Sequence, residues 1–411
     1  MTARKILFLV LDGVSDRPCP ELGNRTPLQA ALTPVLDGIA REGICGIMDT
    51  IAPGIRPGSD TAHLSLLGYD PRRYYTGRGP LEAEGCGIRM EPGMIGFRCN
   101  YATLDAEGRV VDRRAGRIHG TEPLSRAVEE GVDLSGLGIQ FSFRSGAGHR
   151  AALAFRGEGL GVSVTSNDPK KEGVAPLPFG AKTGDDADRR TAAALAEFVR
   201  QAEGILRDHP INRERAARGL PPANTILVRG AGRMGHFEPF REKYGLSGSV
   251  ISAAALIAGI GTAVGLTRID VPGATGSVDT DIHAKVRAAK DALASVDFVL
   301  LNVKGADEAG HDGDSRAKMA FIERVDSALA PIARLPGTLL VVCADHSTPC
   351  AVRDHSADPV PVAIAGEGVR TDRVTAFDEI SCAEGALHRI RGLDLLPILL
   401  DLLDRAPKYG A

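Results

Sequence analysis

At 411 residues the chain exceeds one ordinary domain, and two are expected, each able to bury a core. With 43% hydrophobic and 25% charged residues its composition is that of a soluble globular protein. A net charge of -3 gives no electrostatic case for nucleic acid or for an anionic membrane, so the expected partner is a small molecule.

Cys19, Cys45, Cys86, Cys99, Cys343, Cys350 and Cys382 form no CxxC pair, and their number is odd. That usage fits free thiols in a reducing compartment, and the expected location is cytoplasmic. Arg4 and Lys5 ahead of an apolar run imitate a signal peptide, but Asp12 ends the run too early. The other apolar segment, 250–266, is rich in Ala and Gly, slightly short and without aromatic flanks, so it reads as a buried helix rather than a membrane span.

In chain order, Lys5–Leu11 reads as a fully buried strand of a parallel sheet. A helix is expected over 26–42 with a break at Thr33-Pro34, then a strand over 46–50. The stretch RPGSDTAHLSLLGY, 56–69, places Ser59 between a small-residue turn and a helix. A serine there either caps the helix or presents its hydroxyl to an anion beside free N–H groups. GRGPLEAEG, 77–85, reads as a loop.

From Gly96 the pattern changes. Strands are expected over 97–104, 139–143 and 150–155, with a turn over 105–108. An amphipathic helix follows, carrying Leu195, Phe198, Val199, Ala202, Ile205 and Leu206 at helical spacing and stopped by His209-Pro210. These suggest an inserted α+β domain at 96–224. The parallel pattern then resumes with strands over 225–228, 297–303, 338–343 and 360–365 and helices over 250–265, 279–295 and 318–330. The expected fold class is α/β: a discontinuous core, 1–95 and 225–411, with a central mostly parallel sheet flanked by helices, interrupted by the smaller domain.

Three of the expected strands run into acids: LFLVLD at Asp12, FVLLNVKGAD at Asp307 and LLVVCADH at Asp345-His346. In an open parallel sheet the carboxyl ends share one edge, so these acids should converge. His311 lies four residues after Asp307, and His355 follows in a turn-rich loop. Carboxylates placed together repel unless neutralised, and three Asp with three His form an oxygen and nitrogen set suited to Zn²⁺ or Mn²⁺ better than to Mg²⁺. Two divalent ions would balance three Asp and an ionised Ser59, leaving room for a phosphate dianion.

The order Asp12, Ser59, Asp307-x-x-x-His311, Asp345-His346, His355 resembles the framework of the alkaline phosphatase superfamily. The wording is closer still to the archaeal-type 2,3-bisphosphoglycerate-independent phosphoglycerate mutases. The matching stretches run from LDGVSDRP and PGSDTAHLSLLGYDP through YYTGRGPLEA and PGATGSVDT to KGADEAGHDGD and ADHSTPC. The resemblance implies an alkaline-phosphatase-like core with a lid inserted. It makes Ser59 the nucleophile, with Asp307, His311 and His355 on one metal and Asp12, Ser59, Asp345 and His346 on the other. It implies interconversion of 3-phosphoglycerate and 2-phosphoglycerate through a phosphoserine, with Mn²⁺, Co²⁺ or Zn²⁺ and without 2,3-bisphosphoglycerate.

A charged substrate needs cations, and Arg suits carboxylate and phosphate alike. Arg78, Arg98, Arg150, Arg229 and Lys304 are the candidates, though each reads equally well as a surface charge. Asp168, in SNDPKKEG, is the candidate acid or base, or else a turn-former before Pro169; many family members carry His after that Asp-Pro, where this chain has Lys170. GAGRMG, 230–235, satisfies GxGxxG but lacks the helix that a dinucleotide site requires. NRT, 24–26, is a sequon without a secretory signal. His63, His149 and His283 have no partner in sequence and read as structural.

Overall fold

The computed structural model describes residues 4–410. The chain forms two compact units, one from Met1–Tyr74 with Phe237–Ala411 and one from Tyr75–His236. Strands β1 (Lys5–Leu11) and β2 (Gly43–Asp49) precede the second unit. β3 (Ile95–Leu104), β4 (Val110–Asp112), β5 (Gln140–Ser145), β6 (Arg150–Arg156) and β7 (Thr225–Arg233) lie within it. β8 (Gly248–Ile251), β9 (Thr267–Arg268), β10 (Phe298–Val303), β11 (Thr338–Cys343), β12 (Val360–Ala365) and β13 (His388–Arg391) follow.

The first unit is built on one sheet of order β13-β2-β12-β11-β1-β10-β8-β9. β1 has parallel partners on both sides, with Leu9 opposite Leu301 of β10 and Val342 of β11. Its residues Ile6 to Val10 are wholly buried, which is why the run is apolar without alternation. β12 runs antiparallel to both β11 and β2, so the sheet is mostly rather than wholly parallel. The carboxyl ends of β1, β10 and β11 therefore meet at one edge, and Asp12, Asp307 and Asp345 all follow them there.

The second unit holds a smaller sheet, β4-β3-β6-β5, with β7 paired antiparallel to β3. The 22-residue helix Asp186–Arg207 packs on it through Leu195, Phe198, Ala202 and Leu206. Phe198 meets the rings of Phe143 and Phe155 at 5.5 and 6.3 Å.

Several expectations are corrected. The strand expected over 225–228 in the parallel core belongs to the second unit, where Val228 pairs with Cys99. Residues 78–85, expected as a loop, form the helix Arg78–Gly85 in that same unit. A Cβ on Gly79 would lie 2.1 Å from the Gly96 carbonyl, so glycine lets this helix press its backbone onto β3. Together these two elements move the division outward from 96 and 224 to 75 and 236. The helix expected over 250–265 is instead β8 followed by the helix Ala255–Ala263, with Val250 paired to Leu300. A run of apolar and small residues from strand to helix, broken only by Ser252, hides the junction. The break at Thr33-Pro34 does separate two helices, Pro27–Ala30 and Pro34–Arg41. Among the described residues no helix is long and apolar enough to cross a membrane.

Candidate active site

Asp12 follows β1 directly and is fully buried. Asp345 follows β11, and its Oδ1 accepts the N–H groups of Gly13 and His346, both at 3.0 Å. These bonds fix the ends of two neighbouring strands to each other. Ser59 is the first residue of the helix Ser59–Leu66; the N-cap is Gly58, so the serine hydroxyl is not consumed in capping. Instead Ser59 Oγ lies 3.1 Å from His346 Nε2.

The anticipated ligands come together. Asp12, Asp345 and His346 offer ligand atoms within 4.8 Å of one another, and so do Asp307, His346 and His355. His346 belongs to both groups, whereas the sequence pairing gave it to one. His311 Nε2 is 3.4 Å from Asp307 Oδ1, and His355 Nε2 is 3.5 Å from the same oxygen. Lys304 bridges the groups, with Nζ 2.9 Å from Asp12 Oδ1 and 2.6 Å from Asp307 Oδ2.

The electrostatics of this cluster are those of excess negative charge. Burial and the charges of Asp12 and Asp307 push the Asp345 carboxyl well above the usual range. Burial is the largest influence on Asp12 and Asp307 and raises both, but the Lys304 ammonium and the neighbouring histidines together outweigh it, and both end below their ordinary value. Burial brings His346 down to about 3, so its imidazole is neutral and available as a ligand. Asp345 Oδ2 is buried with no hydrogen-bond partner among the described residues, although His346 Nε2 stands 3.2 Å away. An orphaned carboxylate oxygen among neutral imidazoles and two further carboxylates fits divalent cations, by charge and by donor chemistry.

Residues not anticipated as site residues support the cluster. His63, read as structural, is buried one helical turn after Ser59, with Nδ1 2.8 Å from the Ser59 carbonyl oxygen and 3.5 Å from Asp345 Oδ2. Its i, i+4 relation to Ser59 was the available signal. Asn302 in β10 donates from Nδ2 to Asp12 Oδ2 at 3.0 Å. Thr348 donates from Oγ1 to Asp307 Oδ1 at 2.8 Å, and the same oxygen lies 3.0 Å from His346 Nδ1. One hydroxyl thus orients a member of each ligand group. His283 is exposed.

Within the second unit, Arg98 feels Glu82 on one side and Arg78, Arg229 and Arg150 on the other. Asp168 is nearly buried and takes a two-pronged bond from Arg113, Nε at 2.9 Å and Nη2 at 2.7 Å, with Arg229 Nη1 3.5 Å away. Burial opposes its ionisation, but the Arg113 bond holds its carboxyl below the ordinary value. The four arginines and Asp168 therefore share one region of that unit. Residues 230–233 of the GxGxxG match lie in antiparallel β7 with no helix directly after, which removes the dinucleotide reading.

Comparison with known proteins settles the family. A model of the 2,3-bisphosphoglycerate-independent phosphoglycerate mutases matches residues 40–212. The enzyme of that name from Methanoculleus marisnigri is 67% identical over 411 residues, covering 100% of both chains. The chain belongs to this family. Another member, from Methanosphaerula palustris, is 62% identical over 410 residues, with 100% of both chains covered. Among solved structures, a cofactor-independent phosphoglycerate mutase from Thermoplasma acidophilum superposes with a TM-score of 0.68 at 37% identity, over 97% of this chain and 100% of that one. A Pyrococcus horikoshii protein reaches 0.85 at 36% identity over 100% of both.

Proposed function

We propose that this chain interconverts 3-phosphoglycerate and 2-phosphoglycerate through a phosphoserine at Ser59. The observation that carries this reading is the Ser59 hydroxyl, free of capping duty and 3.1 Å from a neutral His346 at the edge of the carboxylate cluster. Asp12, Ser59, Asp345 and His346 would hold one divalent ion, and Asp307, His311 and His355 the other, drawn from Mn²⁺, Co²⁺ or Zn²⁺. Such ions supply charge for a transferring phosphoryl group and lower the pKa of a coordinated hydroxyl.

In this reading an ionised Ser59 Oγ forms its bond to phosphorus as the P–O bond to one glycerate oxygen breaks, and that oxygen becomes a hydroxyl with the proton that Asp168 takes from glycerate's other hydroxyl. The reverse step moves the phosphoryl group from Ser59 to that other, deprotonated oxygen and leaves Ser59 ionised again. Lys304, set between two carboxylates, offers positive charge to the phosphoryl oxygens. Arg78, Arg98, Arg150 and Arg229 are assigned to the substrate's carboxylate and phosphate, because their cluster exceeds the carboxylates beside it. Asp168 is assigned as the proton acceptor, since the Arg113 pairing keeps it ionised. The second unit is assigned the part of a lid that excludes water while the phosphoserine exists.

The test is conversion of 3-phosphoglycerate by the purified chain with no 2,3-bisphosphoglycerate added. Activity is expected in wild type, lost in Ser59→Ala, lost on chelation, and restored by Mn²⁺, Co²⁺ or Zn²⁺. Full activity in Ser59→Ala, or in protein stripped of metal, would overturn the assignment.

A further inference from the structure

A cavity of about 150 Å³ opens at the carboxyl ends of β8 and β9 in the first unit, with Ser252, Arg268, Asp270, Ala274 and Lys285 among its walls. One water needs only ~10–15 Å³ of such space, so the cavity has room for more than a solvent molecule. None of its lining residues belongs to either metal-ligand group.

Lys285 is 1% exposed. Its Nζ donates to the Asn302 carbonyl at 2.8 Å, and the one carboxylate whose charge acts on it is Asp12, outside the cavity. An ammonium carries three N–H donors, so two remain to be satisfied from the cavity. A buried cation without a paired anion is costly, and burial brings Lys285 down only to about 8, so the charge persists at neutral pH. The wall at Ser252 is itself fixed: Ser252 Oγ accepts the N–H of Ala254, the residue that caps the helix Ala255–Ala263, at 3.1 Å. At the mouth, Arg268 Nε pairs with Asp270 Oδ1 at 2.7 Å, so their charges cancel and Lys285 sets the sign of the interior.

We propose that this cavity binds a small tetrahedral oxyanion of phosphate size, held by Lys285. The site communicates with the catalytic edge through one residue. The Asn302 carbonyl accepts from Lys285, its Oδ1 accepts from Ser252 Oγ at 3.0 Å, and its Nδ2 donates to Asp12 Oδ2. An anion that draws on Lys285 therefore pulls on the strand position that orients Asp12. The inference does not rest on the mutase reading, because neither Lys285 nor the cavity takes part in it.

Crystals of the metal-loaded full chain soaked in selenate test it directly. An anomalous peak within hydrogen-bond distance of Lys285 Nζ is expected; water alone at tens of millimolar selenate would overturn the proposal. Displacement of that peak by 3-phosphoglycerate would mark the occupant as a phosphoryl ester, and its persistence a free oxyanion. In solution, inorganic phosphate titrated into the metal-loaded enzyme should raise the melting temperature along a saturable curve. Lys285→Met, and separately Ala274→Leu, which narrows the cavity and keeps the lysine, should each weaken apparent affinity at least tenfold, with phosphate-free activity of Ala274→Leu unchanged. Wild-type curves in Ala274→Leu would overturn the proposal even if Lys285→Met fails to fold.

Discussion

Thr348 shows how much of the candidate centre depends on a side chain that is not itself an anticipated ligand. Its hydroxyl holds Asp307 and meets His346, so it sets the direction of one donor in each metal group. Thr348→Val keeps the shape and removes the hydroxyl. Loss of a partner that orients metal ligands is expected to cost about 10–100-fold in metal affinity or activity. Titrating Mn²⁺ into metal-free protein and following turnover checks this; an unchanged metal affinity together with unchanged turnover would remove Thr348 from the centre. Gly13 is equally specific. It has a φ of +66°, and a Cβ there would sit 2.6 Å from Asp307 Cβ and 2.7 Å from Thr348 Oγ1. Gly13→Ala should therefore push the turn after β1 away from Asp307 and Thr348, and with a displacement near 1 Å costing on the order of 10²-fold in rate, an unchanged turnover of the variant would show that the close approach is not needed. The convergence of Asp12, Asp307 and Asp345 was legible in the sequence, because acids that follow buried parallel strands share an edge. Asn302 and Thr348 were not, since nothing in an apolar strand or a loop distinguishes a polar residue that faces a ligand from one that faces solvent.

At the scale of elements, the helix Ser315–Leu329 fastens the loops that carry the anticipated ligands. Lys318 in this helix has no exposed surface, and its Nζ donates to the Ser15 carbonyl at 3.0 Å, to Asp16 Oδ2 at 2.9 Å and to the Thr348 carbonyl at 2.9 Å. The loop after β1 and the loop after β11 are thereby bound to one ammonium. Removing one member of a buried ion pair leaves the other charge uncompensated, so Lys318→Met is expected to destabilise the first unit by about 3–5 kcal/mol. The measurement is the urea midpoint, compared with the exposed Lys290→Met; equal midpoints for the two variants would show that the bridge contributes nothing. Sequence pattern placed this helix within a few residues, as 318–330, yet gave no reason to bury a lysine in it. Periodicity identifies faces, and a polar residue on a helix is read as solvated unless its partners, hundreds of positions away, are known. The same blindness assigned β7 to the parallel core, because a strand's sequence does not state its partner.

For the whole molecule, acid acts on stability through a group far from the carboxylate cluster in sequence. In the second unit, burial, followed by the charges of Arg150, Arg114, Arg98 and Arg117, brings His149 down to about 4. A folded pKa below the unfolded value near 6.5 means that the unfolded chain binds the proton first. The stability His149 allows is therefore complete above about pH 6.5 and is lost as pH falls towards 4. His149→Gln should melt with a shallower acid dependence over that window, and identical pH profiles for variant and wild type would exclude the effect. The same arginine surroundings bear on the reaction the chain is proposed to perform. If the second unit acts as a lid, glycerate stays in place while Ser59 carries the phosphoryl group, and the group returns to the molecule it left. Unlabelled 3-phosphoglycerate mixed with labelled free glycerate should then yield unlabelled 2-phosphoglycerate and little inorganic phosphate. Replacing Arg98 or Arg229 with Ala should weaken retention, so that label enters the product and phosphate release rises relative to isomerisation. Label in the wild-type product would mean that glycerate exchanges freely and the lid assignment is wrong, while rapid phosphate release by wild type would make the phosphoserine's acceptor water and the chain a hydrolase.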